Sequence, residues 1–367
     1  MSKKYNSKKN IVLGNVLKTD FANYVKHKRT YNNTQSDWVD KEELKSKEEK
    51  NFDLLKYAFE GNKKMMKVAL TTGVGADINT TDSNGNNALI LAVYSGDVDA
   101  VKFLVNFHKD EKSNVLDYVT PIDLNHINKD LLSALHLAVY LNNMQVVKVL
   151  LKAGLDANVV GKFKETPIMF ATRANNAEMI ELLLHHNLNN QANINQRNRE
   201  GQTPLMIASQ NKNRMEAFLT LLKSGAEIMM KDYEGKTAFM HAANNNCSHY
   251  MDALLKRSGV NMLNMINTQD KNGVSALMIL AIGGNRQALR VLISRGANVF
   301  LQDKNGKTAL DYAIKYENPT CKEILIKTNK IYETANQMKD EFAKQQYLAN
   351  ALGEFGKQNR VQNSCIK

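Results

Sequence analysis

The sequence predicts an all-α solenoid of stacked helix-turn-helix units with hairpin-like loops between them. A short phrase recurs: a polar turn with Gly, then Thr or Ser, then Ala or Pro, then an apolar residue. Its Ala/Pro positions are 88, 134, 167, 204, 238, 276 and 309. The intervals of 46, 33, 37, 34, 38 and 33 are one 33-residue period with insertions. A second apolar phrase then runs into a turn, as in Val146–Gly154, Leu221–Ala226 and Val291–Asn298. Finally, 367 residues contain four prolines, a scarcity that suits helices.

The elements follow in order. Residues 1–50 form a basic flank with 12 Lys/Arg against 7 Asp/Glu. Leu13, Leu17, Phe21 and Val25 predict an amphipathic helix over 10–26. It docks on the first unit or on a loop, or attaches to nucleic acid or an anionic membrane surface. Lys3 to Lys9 before Ile11–Leu17 imitate a signal peptide, but Asn15 interrupts the apolar run and no small-residue cleavage site follows. Trp38 opens a charged segment leading into the array. Phe52–Asn79 lacks the opening phrase and reads as an N-terminal capping unit.

Seven full units then run to residue 328. Thr or Ser at each opening caps the first helix. Pro in the first turn forfeits an amide that had no helical partner. Gly after the second helix supplies a left-handed residue. Met179, Leu182 and Leu183 share one helix face, which a 33-residue unit cannot bury without stacked neighbours. A 13-residue excess within 107–126 predicts an outward loop, and Met262, Leu263, Met265 and Ile266 predict an insert packed inward. Over 329–367, Ile331, Ala335, Met338, Phe342, Ala349 and Leu352 predict one helix from 330 to 352 that covers the last unit, then a disordered tail.

At Thr166-Pro167-Ile168, Thr203-Pro204-Leu205 and the Leu-Leu-x-x-Gly-Ala phrase ending at Ala226, the chain resembles the ankyrin-repeat family, over about residues 51–328. The resemblance implies recognition of a protein partner on the concave face, through finger tips and the outer sides of first helices. Tip candidates are Phe163, Arg197, Arg199, Met230, Tyr233 and Phe300; helix candidates are Tyr94, Tyr140, Arg173, His241 and Asn245. It also implies that His136, at the motif's His position, bonds between neighbouring turns. Met169, Met206, Met240 and Met278 fall at that same position, and their repeat phase places them in the core.

Chemistry is harder to find. The chain has no phosphate-binding Gly-rich loop, nucleophile elbow or His-Glu-x-x-His. Cys247, His249 and His241 make too sparse a set for zinc. No catalytic residue, metal or cofactor is expected. Three dispersed cysteines suit a reducing compartment, and no apolar run is long enough for a transmembrane helix. The net charge is +12, but residues 51–328 carry 31 Lys/Arg against 26 Asp/Glu, too dilute for duplex binding. The 45 asparagines read as the codon bias of an AT-rich genome. A monomeric cytoplasmic scaffold binding a protein partner leads. The alternatives are an effector of an intracellular bacterium acting in a host cytosol, and a nucleic-acid or anionic-lipid binder using the basic N-terminus.

Overall fold

The computed structural model describes residues 45–110, 121–185 and 191–362. The expected helix over 10–26, Trp38, residues 111–120 of the long loop and the last residues of the tail lie outside them. The described residues form eight helix pairs. These are α1 (Lys47–Phe59) with α2 (Lys63–Thr71), α3 (Ala88–Ser95) with α4 (Val98–Asp110), and α5 (Ala134–Tyr140) with α6 (Met144–Ala153). Next come α7 (Pro167–Arg173) with α8 (Ala177–His185), α9 (Pro204–Ser209) with α10 (Met215–Lys223), and α11 (Ala238–Asn244) with α12 (Ser248–Ser258). A short α13 (Met262–Asn267) intervenes before α14 (Ala276–Ile282) with α15 (Arg286–Ser294) and α16 (Ala309–Lys315) with α17 (Pro319–Asn336). A last helix, α18, spans Glu341–Gln362.

First helices pack on first helices along the whole array, from α1 on α3 to α14 on α16, and second helices lie behind them. One continuous apolar core runs between the layers. Leu183 is fully buried in it, as are the four motif methionines. In the α13 insert, Met265 and Ile266 turn into the core while Leu263 stays exposed.

The caps explain where first helices begin. Asn87, Ser133, Thr203, Thr237, Ser275 and Thr308 each accept the amide of the third residue on. The Met206 and Met278 sulfurs accept the Thr203 and Ser275 amides in return, at 3.5 and 3.4 Å. Thr166 is the exception, its hydroxyl buried without a partner.

Asparagine has a structural use that composition concealed. Asn142, Asn175 and Asn246 hold left-handed conformations between paired helices, where a short side chain that tolerates that region is needed. Asn62, Asn143 and Asn285 cap second helices. Asn79, Asn125, Asn158, Asn195 and Asn267 each accept a main-chain amide from the following unit, at 2.5 to 3.0 Å, and Asn51 accepts that of Asp77 within the capping unit at 2.7 Å. Twelve of the 45 asparagines thus have a defined structural place.

The C-terminal expectation also needs correction. Helix 330–352 is not one helix: α17 runs from Pro319 to Asn336 across the expected boundary at 328, and α18 starts afresh at Glu341. The polar run Gln337-Met338-Lys339-Asp340 separates them, and Asp340 accepts the Phe342 amide at 2.9 Å to start the new helix. Helix α18 folds back onto α15 and α17. Phe342, placed on the apolar stripe, is 69% exposed. No helix among the described residues is long and apolar enough to cross a membrane.

Candidate functional site

Each unit is entered by a tight finger. In six fingers an Asp or Asn opens the turn, at 82, 128, 198, 232, 270 and 303. Its Oδ1 accepts the amides two and four residues on, as Asp232 does from Glu234 and Lys236 at 2.9 and 2.8 Å. A left-handed residue completes the turn, Gly85, Gly201, Gly235, Gly273 or Gly306 in five fingers and Leu131 in the second.

Main-chain bonds tie neighbouring fingers. The residue after the opening Asx donates its amide to a carbonyl of the preceding finger. The bonds are Lys129 to Asn84 (3.0 Å), Arg199 to Phe163 (2.7 Å), Tyr233 to Glu200 (3.1 Å), Lys271 to Glu234 (2.9 Å) and Lys304 to Asn272 (2.9 Å). No such bond joins the second and third fingers among the described residues.

The third finger, at 161–165, is distorted for a clear reason. Gly161 stands where the others carry Asx, so its turn has no carboxylate or amide to gather the loop amides. Phe163 and Lys164 are both pushed to positive φ, 60° and 56°, a costly region for such side chains. A side chain at Gly161 would force its neighbours apart: a Cβ there would lie 2.7 Å from the Leu131 carbonyl oxygen and 3.1 Å from the His136 ring. The joint is held instead by His136, whose Nε2 donates to the Glu165 carbonyl at 3.1 Å. Its Nδ1 accepts the Ser133 amide at 3.3 Å. Burial lowers the His136 pKa to about 4 against weaker opposing effects of Glu165, so the ring is neutral. This is the bond between turns that the motif His implied.

The candidate residues separate into two groups. Phe163 (40% exposed), Arg199 and Tyr233 (51% exposed) stand on three consecutive fingers joined by the bonds above. The Tyr233 ring lies so close over Gly201 that a Cβ there would meet it at 2.7 Å. Tyr140, at the end of α5, is also 46% exposed, whereas the remaining candidates are engaged elsewhere. Arg197 is half-buried and Met230 packs against the core. Arg173 forms an ion pair with Glu165 at 2.5 Å.

His241 Nε2 bonds the Asp232 carboxylate at 2.8 Å, with side chains only 11% and 4% exposed. Burial alone would raise the Asp232 pKa, but the bonds from His241 and the finger amides outweigh it and hold the carboxyl below its usual range. Exposed Asn245 donates its Nδ2 back to the His241 carbonyl. Phe300 sets its ring edgewise to Tyr332, 5.4 Å away, and Tyr94 stacks on Phe59. Cys247 is buried at the start of α12, and burial raises its thiol pKa. Among the described residues, no group of three or more His, Cys, Asp and Glu is placed to hold a metal.

Two features escaped the sequence reading. Lys271 and Lys304 occupy the same finger position as Arg199 and Tyr233, exposed and without a side-chain partner among the described residues. Their signal was present as the residue following Asp in each Asp-Lys-Asn-Gly turn. An apolar hollow of about 430 Å³ also lies between α1, α3 and the first two fingers, lined by Leu55, Ile90, Leu91 and Leu137.

Comparison with known proteins agrees with this geometry. A family model described as ankyrin repeats matches three times, at residues 54–160, 135–232 and 239–336. The B-cell lymphoma 3 protein homolog of Mus musculus is 28% identical over 230 residues, 62% of this chain and 48% of that protein. The putative ankyrin repeat protein FPV031 of fowlpox virus is 32% identical over 165 residues, 44% of this chain and 47% of that protein. The chain spans less than half the length of these relatives. The crystal structure of the ankyrin repeat domain of Bcl-3 superposes with a TM-score of 0.57 at 27% identity, covering 66% of this chain and all of that one.

Proposed function

Because this chain belongs to the ankyrin-repeat family, we propose that it is a non-catalytic scaffold that recognises a protein partner on the finger side of the array, its concave face. Protein–protein interaction is what the family's members and fold support. The single observation that carries the finer reading is the run Phe163–Arg199–Tyr233. Three consecutive fingers present an aromatic ring, a guanidinium and a second ring, fixed in register by main-chain bonds. Aromatic and Arg side chains are the types that most often dominate interface energy. They stand here on a rigid frame, so ordering them on binding costs little.

The test is a double variant, Arg199→Ala with Tyr233→Ala. Both side chains are exposed and the backbone bonds do not depend on them. The variant is checked for an unchanged circular-dichroism spectrum and then compared with wild type in quantitative pull-downs. Loss of captured proteins supports the reading. Retention of every partner at wild-type affinity overturns it.

A further inference from the structure

We propose that fingers four to seven form a track for an extended acidic polypeptide in a polyproline-II conformation, with one carboxylate at every third residue. The proposal rests on the protein-binding reading above and specifies its partner.

The position after the opening Asx or Gly161 is equivalent in every finger. It holds Lys129, Lys162, Arg199, Tyr233, Lys271 and Lys304 in fingers two to seven, all exposed. Five of the six are cations, and Tyr233 is the single ring. Lys129 is committed, its Nζ donating to the Ser83 carbonyl at 2.7 Å, and the Lys162 ammonium lies 5.7 Å from the Phe163 ring centroid. Arg199, Lys271 and Lys304 carry no such engagement among the described residues. The row Arg199, Tyr233, Lys271, Lys304 is thus three available cations and one aromatic face.

The turn aspartates do not cancel this row. Asp232, Asp270 and Asp303 spend Oδ1 on two amides of their own fingers. They are also largely buried beneath the tips or half-buried. Glu200 and Glu234 stand beside the row on fingers four and five, and Asn272 and Asn305 take their place on six and seven. A partner with closely spaced charges, such as a nucleic-acid strand, would meet those two glutamates. A partner with one carboxylate per finger meets a cation on fingers four, six and seven, and only its carboxylate at finger five stands opposite an uncharged residue, Tyr233.

Spacing selects the conformation. Helices packed side by side stand about 8–10 Å apart, and the fingers inherit that interval through their main-chain bonds. A β-strand turns successive side chains to opposite faces, so residues i and i+3 cannot both face the row. A polyproline-II chain has three residues per turn and a rise of about 3.1 Å, so i and i+3 face the same way about 9 Å apart. Its proline rings also suit the Tyr233 face, since aromatic side chains are what polyproline-II ligands dock on.

The experiment is fluorescence anisotropy on the full chain with three labelled probes. These are five repeats of Glu-Pro-Pro, an isomeric peptide with its five glutamates in one block, and a fifteen-nucleotide oligothymidylate. The periodic peptide should bind saturably and at least about tenfold tighter than the blocked isomer. Lys271→Glu and Lys304→Glu should each weaken it by about tenfold, because a like charge replaces an attractive one. Equal binding of the two peptides, no saturable binding of the periodic one, indifference to both variants, or preference for the oligonucleotide would each overturn the proposal. Such a failure, with the Arg199/Tyr233 variant still losing its captured proteins, would leave protein recognition standing and remove only this chemistry.

Discussion

Replacing His136 with Met should change how the stability of the array depends on acid. The imidazole is fully buried in α5, 5.3 Å from the Phe170 ring, and ties its unit to the third finger through the Glu165 carbonyl. In the unfolded chain a histidine takes up a proton near pH 6.5. In the folded protein burial delays that to about pH 4. As pH falls through this window the unfolded state binds the proton and the folded state does not, so stability is lost. Above pH 6.5 both states are neutral and the effect vanishes. Each unit is worth about 1.36 kcal/mol, so the loss reaches about 2 kcal/mol at pH 5 and about 3 kcal/mol at pH 4.

Methionine already fills this position in four other units and does not titrate. At pH 7.5 the variant should be less stable by about 1 kcal/mol, the worth of the lost hydrogen bond. At pH 5 it should be the more stable by about the same amount. Urea unfolding followed by circular dichroism at half-unit steps from pH 7.5 to 4.5 reads both curves, and titrations common to the two proteins cancel in their difference. Parallel curves would refute the reasoning, because they would mean that His136 gains its proton as readily folded as unfolded.

Three more expectations follow from the packing. Leu183→Ala should lower stability by about 2–5 kcal/mol, since a fully buried side chain is emptied from the core; an unmoved urea midpoint would contradict that burial. Gly161→Ala should cost about 1–3 kcal/mol through its collision with the Leu131 carbonyl and the His136 ring, and an unchanged midpoint would mean that fingers two and three stand farther apart. Ending the chain after Met338 keeps α17 whole and removes α18, exposing the faces of α15 and α17 that it covers; the melting temperature should fall and light scattering should report association, whereas a monomer of unchanged stability would show that α18 contributes nothing to the stack.

The repeat phase was legible because its signals are local: a hydroxyl cap, a proline, a left-handed glycine and apolar positions 33 residues apart. Each constrains its own helix whatever stands next to it, so seven openings could be placed from residue types alone. The asparagine bonds were not legible, because each joins residues 26 to 44 apart and the donor is a main-chain amide with no signature. The break before α18 was missed because Met338 lies on the counted stripe and carried it across the otherwise polar residues 337–340. Among the site residues, the type of His241 said nothing of Asp232, nine positions earlier, which draws it into the finger base. Arg199 and Tyr233 were found as exposed types at turn tips. Their common position with Lys271 and Lys304 was readable from the aligned turns, but that the position is tied to the preceding finger became visible only through the amide each donates.

Those amide bonds bear on how such a chain can change over generations. A bond between main-chain groups is indifferent to the side chain above it. Fingers joined that way can exchange tip residues, and so exchange partners, without loosening the stack. The joint between fingers two and three is different, because a histidine replaces the main-chain link and a glycine beside it resists a side chain. Variation there would be paid for in stability. The tip residues are therefore free to vary along most of the array, held back only where the turn glycines crowd the next finger, as at Gly201, Gly235 and Gly273, and where the joint of fingers two and three relies on the His136 ring beside Gly161.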